Sequence, residues 1–355
     1  MNHIKHIAAQ LEARGLDAVL ISSEPGEFYA VGFRGEGFAL ILPDRCWYST
    51  DSRYIEAAEK IKDVELICIS PDKGHVAYTK EHIVEIGIRR LGIEDAYMSV
   101  AQYNELRGAI PAEVKFVPAS ELISELRASK DEEEIACMRQ AQDITDRAFR
   151  EILNFIKPGV TEKEVAARLT YLQMSFGAYK NSFDPIVASG PNGSMPHAIP
   201  TDRTIQSGEF VTMDFGAVFG GYCSDMTRTV CVGRPTGEME KVYSTVLEAQ
   251  LAGIKAARAG VIGMEVHKAA ADVIAKAGYG EYFGHGFGHS LGIEIHEPPY
   301  ANGRFKFPIP ENALISAEPG IYLPGRFGVR IEDVLIYKNG GCEDITASPK
   351  ELICL

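Results

Sequence analysis

Residues 211–230 carry the pattern that most restricts the fold, because strand-type residues flank the dipeptide Gly220-Gly221. A two-residue turn at these glycines places Asp214 opposite Thr227. Since side chains alternate between the two faces of a strand, Asp225 then lies on the same face as Asp214, as its diagonal neighbour. Two carboxylates on a face rich in Val, Phe and Met repel each other and are costly to bury, which a cation between them would offset. The alternative interpretation is a solvated hairpin face.

A second acidic pair belongs to a faint internal repeat. The two copies share a Gly-Val pair followed by a Glu-Val pair, at Gly159-Val160 and Glu164-Val165 in the first and at Gly260-Val261 and Glu265-Val266 in the second. Each copy opens a predicted helix, and each helix is followed by a hairpin-like segment with two carboxylates. These are Asp214 and Asp225 in the first copy, and Glu318 and Glu332 in the second. The pattern predicts two pseudo-symmetric halves that close around one site.

Three of the nine histidines lie within the glycine-rich segment 282–297, at positions 285, 289 and 296. Their proximity favours a site over ordinary core packing. Arg330 shares a strand face with Glu332 by period two, and we interpret it as a salt-bridge partner, a carboxylate anchor for a substrate, or both. Four carboxylates with one imidazole and no thiolate suit a pair of divalent ions such as Mn²⁺, Co²⁺, Fe²⁺ or Zn²⁺. The spacing does not choose among these ions.

The periodicity changes near residues 122–131, which predicts two domains. Upstream of that point, strand and helix patterns alternate: Asp17–Ile21, Phe38–Leu42 and Val64–Ile69 predict strands, and Tyr54–Lys62 and Thr79–Leu91 predict helices. Asp131 and Glu134 then have the spacing of a capping box that begins a long helix. We therefore expect an α/β domain over residues 1–125 and an α+β domain over residues 126–355.

Composition limits the partners and the compartment. Acidic residues outnumber basic residues by 49 to 36, and the net charge of −13 disfavours nucleic acid and anionic membrane surfaces. No stretch approaches the roughly 20 apolar residues that a membrane span requires. The seven cysteines are scattered and never form a CxxC motif, so we expect reduced core thiols and a cytoplasmic location.

Five motifs together resemble the metal-binding segments of the creatinase/aminopeptidase, or pita-bread, metallopeptidase family, in its prolidase and aminopeptidase P branch. They are MDFG, CSDMTRT, GHSLGIEIHE, SAEPGIY and VRIED. Further similarities at Glu27–Phe33, Thr50–Tyr54 and Phe183–His197 extend the resemblance over nearly the whole chain. It implies a creatinase N-terminal-like α/β domain followed by an α+β pita-bread catalytic domain with a pseudo-twofold internal repeat. One departure is Ser290, where many relatives have glycine.

The same resemblance implies two divalent metal ions per subunit, with Mn²⁺ as the first expectation and Co²⁺ or Zn²⁺ as alternatives. The implied metal ligands are Asp214, Asp225, His289, Glu318 and Glu332. A hydroxide that bridges the ions would attack the scissile carbonyl group.

The remaining implied residues act on the substrate. The resemblance implies that Glu318 also carries a proton, and that His197 and His296 contact the substrate and the transition state. His285 and Arg330 complete the implied substrate-binding set, although His285 is also interpretable as a packed loop residue.

The implied activity is hydrolysis of the bond between an N-terminal residue and proline, by an Xaa-Pro aminopeptidase or an Xaa-Pro dipeptidase. The implied partner is a small peptide with proline at its second position, and the implied assembly is a homodimer. Two alternatives are a metal-free creatinase-like C–N hydrolase and a non-catalytic binding member of the same fold.

Overall fold

The structure, a computed structural model, describes residues 2–355, which divide into two compact units, residues 2–127 and 128–355. Residues 2–355 form ten α-helices, two short 3-10 helices and nineteen β-strands. Within these residues, no helix combines the length and the apolar character that crossing a membrane would need.

The first unit is built on a mixed sheet of six strands, in the order β4-β3-β2-β1-β5-β6. Its strands are β1 (Ala18–Ile21), β2 (Phe38–Ile41), β3 (Cys46–Thr50), β4 (Glu65–Cys68), β5 (Arg90–Ile93) and β6 (Lys115–Pro118). Its helices are α1 (Ile4–Ala8), α2 (Glu24–Val31), α3 (Ile55–Ala58), α4 (His75–Ile86), α5 (Val100–Ala109) and α6 (Ser120–Ala128), the last of which ends just past the division. The central strand β1 pairs antiparallel with β2 and parallel with β5. The α/β prediction for this region is confirmed.

Two helix boundaries predicted in this unit are wrong. The helix expected over Thr79–Leu91 is α4, which ends at Ile86 because Gly87 takes a left-handed conformation with φ of 80°. Leu91 instead lies in β5, a buried strand of the sheet. The helix expected over Tyr54–Lys62 is only the short α3.

The second unit contains a helix pair and a set of strands, followed by a second helix pair and a second set of strands. The first half has α7 (Glu132–Ile152), α8 (Glu162–Ser175), β7 (Lys180–Asn181), β8 (Ile186–Ser189), β9 (Glu209–Phe215), β10 (Ala217–Phe219), β11 (Tyr222–Cys223) and β12 (Met226–Val232), with a 3-10 helix at Gly190–Ser194. The second half has α9 (Gly237–Ala256), α10 (Gly263–Lys276), β13 (Gly288–Ser290), β14 (Glu297–Ala301), β15 (Leu314–Ala317), β16 (Gly320–Leu323), β17 (Phe327–Arg330), β18 (Asp333–Lys338) and β19 (Gly341–Asp344), with a 3-10 helix at Gly280–Tyr282.

The two halves repeat the same strand arrangement. The sheet of the first half has the order β12-β9-β8, and β18-β15-β13 is the matching part of the five-stranded sheet in the second half. In the first half, α7 and α8 share an apolar core with β8, β9 and β12, and in the second half α9 and α10 share one with β15 and β18. The predicted pseudo-twofold repeat is confirmed at the level of this topology.

The register predicted for the central hairpin is confirmed. Val218 pairs with Cys223 and Phe219 pairs with Tyr222, so the chain turns at the predicted pair of glycines. Further from the turn, Asp214 lies opposite Thr227. Asp225 immediately precedes β12. It lies between the short ladder of β10 and β11, next to the turn, and the longer ladder of β9 and β12.

The capping box predicted at the start of the long helix α7 is also present. The backbone N–H of Glu134 donates to Asp131 at 2.8 Å, and the backbone N–H of Asp131 donates back to the Glu134 carboxylate at 2.8 Å. The prediction that all seven cysteines are core thiols is wrong, because Cys68 and Cys354 are exposed.

Gly288 illustrates how closely the strands of the second half approach one another. A Cβ atom at this position would lie 1.8 Å from the backbone oxygen of Ser316 on the neighbouring strand β15, whereas a Cβ at Gly284 would meet nothing within 4 Å. A side chain at position 288 therefore cannot be accommodated unless β13 moves away from β15.

We therefore expect Gly288→Ala to lower the free energy of unfolding by about 1–3 kcal/mol, the usual effect of overpacking. Urea denaturation followed by circular dichroism would measure the change. Gly284→Ala is the matched control and should stay within about 0.5 kcal/mol of the parent. Equal stability of the two variants would contradict the close approach of these strands.

Candidate metal centre

All residues proposed from the sequence for the site line one cavity of about 910 Å³ in the second unit. They are Asp214, Asp225, His289, Glu318 and Glu332 as metal ligands, with His197, His285, His296 and Arg330 as substrate-binding residues. The acidic residues come from equivalent places in the two halves. Asp214 lies near the end of β9 and Glu318 lies just after β15, whereas Asp225 and Glu332 immediately precede β12 and β18, the strands that pair with β9 and β15.

The tightest group of potential ligands is formed by Asp225, His289 and Glu332. One ligand atom of each lies within 4.8 Å of the others, which a single divalent ion could bridge. His289 Nε2 lies 3.6 Å from Asp225 Oδ2 and 3.3 Å from Glu318 Oε1, so Glu318 borders the same group. These contacts bring residues of the two halves together at one point.

Two buried carboxylate oxygens independently indicate a site for a cation. Within residues 2–355, Asp214 Oδ1 and Asp225 Oδ1 have no hydrogen-bond partner. Buried polar atoms in folded proteins are nearly always paired, and an unpaired carboxylate oxygen is especially costly. Oxygen and imidazole donors of this kind fit divalent ions such as Mn²⁺, Co²⁺ or Zn²⁺. The residues present therefore fit a metal site.

The electrostatics of the metal-free protein agree with this conclusion. Burial is the main cause that raises the pKa values of Asp225, Glu318 and Glu332, and the negative charges of neighbouring carboxylates raise them further. Raised pKa values mean that the ionised forms are disfavoured in this environment. A divalent cation would reverse this effect, because it stabilises the ionised form of each ligand.

His289 is held as a neutral ligand. Burial lowers its pKa, which favours the uncharged imidazole. Nδ1 lies 3.1 Å from the backbone oxygen of Ser290. Because a carbonyl oxygen only accepts hydrogen bonds, we assign the ring proton to Nδ1. Nε2 therefore presents its lone pair to the acidic group, as metal-binding histidines require.

Arg330 neutralises part of the acidic group and orients it. Its Nη2 donates to Asp214 Oδ2 at 2.6 Å, and its Nε donates to Thr227 Oγ1 at 2.9 Å. The Thr227 hydroxyl in turn donates to Glu332 Oε2 at 2.6 Å. Thr227, from the first half, therefore joins the arginine and a carboxylate that both belong to the second half. The hairpin register placed Thr227 opposite Asp214, but nothing in the sequence indicated this role.

A second chain of hydrogen bonds links Arg330 to the wall of the cavity. Arg330 Nη1 donates to the Tyr322 hydroxyl at 2.8 Å, and this hydroxyl lies 3.0 Å from His285 Nε2. His285 Nδ1 lies 2.9 Å from the backbone oxygen of Gly286. Both ring nitrogens of His285 are thus already engaged within the wall.

His197 and His296 differ from the other histidines because they are exposed where they border the cavity. The ring of His296 lies 4.3 Å from the ring of His289, measured between centroids. Both exposed imidazoles are accessible to a molecule that enters the cavity.

A buried ion pair that the sequence did not reveal lies behind His289. Lys130 Nζ lies 3.0 Å from Glu297 Oε1 and donates to Ser290 Oγ at 2.9 Å, and both charged side chains are nearly inaccessible to solvent. Ser290 and Glu297 pair across β13 and β14, at the base of the loop that carries His296. The hydroxyl of Ser290, noted in the sequence as a departure from related proteins, is thus used to bind a lysine.

Comparisons with known proteins place the chain in a family. Residues 136–339 match the model of metallopeptidase family M24, and residues 3–129 match the model of the creatinase/prolidase N-terminal domain. The chain therefore belongs to metallopeptidase family M24. This confirms the resemblance found in the sequence.

Individual relatives span the full length of the chain. A Bacillus subtilis protein named as a peptidase, YqhT, is 41% identical, with 100% of this chain and 99% of that protein covered. The solved structure of an Xaa-Pro dipeptidase from Bacillus anthracis has a TM-score of 0.95 and 41% identity, with 99% of each chain covered. An X-Pro aminopeptidase structure from Thermotoga maritima has a TM-score of 0.92 and 36% identity, with 98% of this chain and 100% of that chain covered. The predicted fold class, an α/β domain followed by a pita-bread metallopeptidase domain, is confirmed.

We expect Lys130→Met to lower the free energy of unfolding by about 3–5 kcal/mol, because it removes the ammonium group that balances the buried Glu297 carboxylate. Urea denaturation measures this change. The matched control is Lys163→Met, which removes an exposed pair with Asp202 whose side chains are 57% and 84% accessible. This control should cost at most about 1 kcal/mol. A similar loss in both variants would show that the buried ion pair contributes no more to the free energy of unfolding than the exposed one.

Proposed function

We propose that the protein hydrolyses the peptide bond between an N-terminal residue and a following proline, with two divalent metal ions. The observation that carries the proposal is the convergence of four carboxylates and His289 from both halves on one cavity, with two buried carboxylate oxygens unpaired. The names of the Bacillus anthracis and Thermotoga maritima relatives support the preference for proline.

Asp214, Asp225, His289, Glu318 and Glu332 would hold the ions. When bound, two divalent ions lower the pKa of a water molecule and stabilise the negative charge that develops on the scissile carbonyl oxygen. The protein keeps the ligands in place through three contacts: Arg330 with Asp214, Thr227 with Glu332, and Ser316 with Glu318.

We assign to Glu318 the transfer of a proton during hydrolysis. Its Oε1 accepts a hydrogen bond from Ser316 Oγ at 3.1 Å and lies 3.3 Å from His289 Nε2, so the carboxylate is held beside the other proposed ligands. We propose that Glu318 takes a proton from the attacking water and delivers it to the nitrogen of the leaving proline.

The substrate is proposed to bind between the acidic group and the exposed histidines. His197 and His296 are accessible to donate hydrogen bonds to the substrate carbonyl groups. Phe183 and Tyr322 also line the cavity and offer ring surfaces to the proline ring, whose nitrogen has no proton to donate once it forms a peptide bond. The engaged nitrogens of His285 and the engaged guanidinium of Arg330 support a role in orienting Tyr322 and Asp214 rather than direct binding of substrate.

The homodimer, the cytoplasmic location and the choice of Mn²⁺ over Co²⁺ or Zn²⁺ stay predictions. Light scattering during size-exclusion chromatography would determine the assembly. Activity measured after removal of metal and reloading with each ion would determine the metal preference.

Asp225→Asn and His289→Ala should each lower kcat/KM on a peptide that begins Ala-Pro by about 10³-fold or more, since metal catalysis is worth several kcal/mol. Metal bound per subunit, measured by inductively coupled plasma mass spectrometry, should fall in parallel. Asp143→Asn is the control, because this carboxylate has a side-chain accessibility of 58% and lies on the surface of α7. It should change neither quantity.

The outcome of metal removal separates this proposal from the alternatives. Full activity on Ala-Pro peptides after chelation would reject the metal mechanism. Purified protein without metal that hydrolyses a small guanidino compound would support the C–N hydrolase. Metal-loaded protein that cleaves no peptide in a broad library would support a binding role.

A further inference from the structure

The charges of the cavity wall are strongly one-sided. Among the residues that the structure describes in this wall, five are carboxylates and one is a guanidinium: Asp214, Asp225, Glu281, Glu318, Glu332 and Arg330. Four of the carboxylates are the proposed metal ligands, whose charge bound ions would balance. Glu281 lies outside that set and adds a further negative charge to the wall.

The single guanidinium is already occupied. Its Nε and Nη2 bind Thr227 and Asp214, and its Nη1 binds both the Tyr322 hydroxyl and, at 3.2 Å, the backbone oxygen of Pro196. The Arg330 side chain has an accessibility of 4%. A carboxylate of a substrate could pair with Arg330 only if it displaced one of these partners.

Glu281 remains unneutralised. It is exposed in the 3-10 helix Gly280–Tyr282, and within residues 2–355 no lysine, arginine or histidine forms an ion pair with it. Once bound ions balance the four ligand carboxylates, a free carboxylate at the end of a bound peptide would meet the remaining negative charge of Glu281, with no unoccupied lysine or arginine in the described wall to receive it. The positive α-amino group of a peptide, in contrast, is favoured in the same surroundings.

The charges of the wall favour the positive amino end of a peptide and disfavour a free carboxylate directly after proline. We propose that the cavity selects peptides that continue beyond proline, so that the protein acts as an Xaa-Pro aminopeptidase and only poorly as an Xaa-Pro dipeptidase. In a longer peptide a neutral amide takes the place of the carboxylate next to the proline ring. The volume of about 910 Å³ is near the upper end for small-molecule sites and leaves room for residues after proline. This inference rests on the proposed function.

The decisive measurement compares Ala-Pro with Ala-Pro-amide on metal-loaded protein, because these substrates are nearly equal in size and differ in one charge. The kcat/KM of the amide should exceed that of the free acid by about tenfold or more, as expected when an unpaired like charge disfavours binding. Ala-Pro-Ala and a pentapeptide that begins Ala-Pro should resemble the amide. Equal or faster cleavage of the free acid would overturn the inference and leave the proposed function intact. Cleavage of none of the four would overturn both.

A charge series at Glu281 tests the physical cause. The quantity to compare is the kcat/KM for Ala-Pro divided by the kcat/KM for Ala-Pro-amide. This ratio should rise in Glu281→Gln and rise further in Glu281→Lys, by about tenfold in the lysine variant. Glu248→Lys makes the same change of net charge on an exposed position of α9 outside the cavity wall, and the ratio should stay at the parent value. An unchanged ratio in the Glu281 variants, or an equal rise in the Glu248 variant, would overturn the electrostatic explanation.

Discussion

Repulsion among buried carboxylates is the constraint on which the second unit depends. Asp214, Asp225 and Glu332 are buried among apolar strands, and Glu318 lies beside them. Without a cation, burial and mutual repulsion both raise the pKa values of Asp225, Glu318 and Glu332. A fold that keeps such groups together must hold each of them by other contacts. The structure does so with one guanidinium and two hydroxyl groups, and leaves the unpaired oxygens for the ions.

The internal repeat explains how the acidic residues reach one place. In each half one acidic residue lies near or just beyond the end of one strand, β9 or β15, and the other immediately precedes the strand that pairs with it, β12 or β18, so each half supplies a pair at the same point of its topology. The halves then meet where the backbone N–H of Glu332 donates to the backbone oxygen of Thr227 at 3.1 Å. Because this bond joins the residue just before β18 to β12, two residues after Asp225, it brings the two pairs close together. The site is therefore a property of the junction and of neither half alone.

Much of this arrangement could be predicted, because local rules fix it. The two-residue turn at Gly220-Gly221 determined the register that sets Asp214 opposite Thr227. Asp225 lies where the ladder is interrupted, so its position on the same face as Asp214 stays a prediction. The capping box at Asp131 likewise depends on only four residues. The end of α4 was missed because the apolar pattern continues past Gly87, whose left-handed conformation stops the helix.

Contacts between distant segments could not be predicted in this way. Lys130 and Glu297 are far apart in the chain, and neither position has a pattern that indicates the other. The sequence suggested that Arg330 was either a salt-bridge partner or an anchor for substrate. Only the positions of Thr227, Tyr322 and Pro196 show that its donors are already in use.

The hydrogen-bonded chain from Asp214 through Arg330 and Tyr322 to His285 has a consequence for how such a protein can diverge. His285 and Tyr322 form part of the wall that faces an incoming molecule, while Asp214 belongs to the acidic group at the other end of the chain. A replacement that reshapes this wall also loosens the arginine that restrains Asp214. A substitution at His285 or Tyr322 that changes substrate selectivity would thus also change how firmly the ions are held. We therefore expect the pocket to diverge first at lining residues outside this hydrogen-bonded series, such as Glu281 and Phe183.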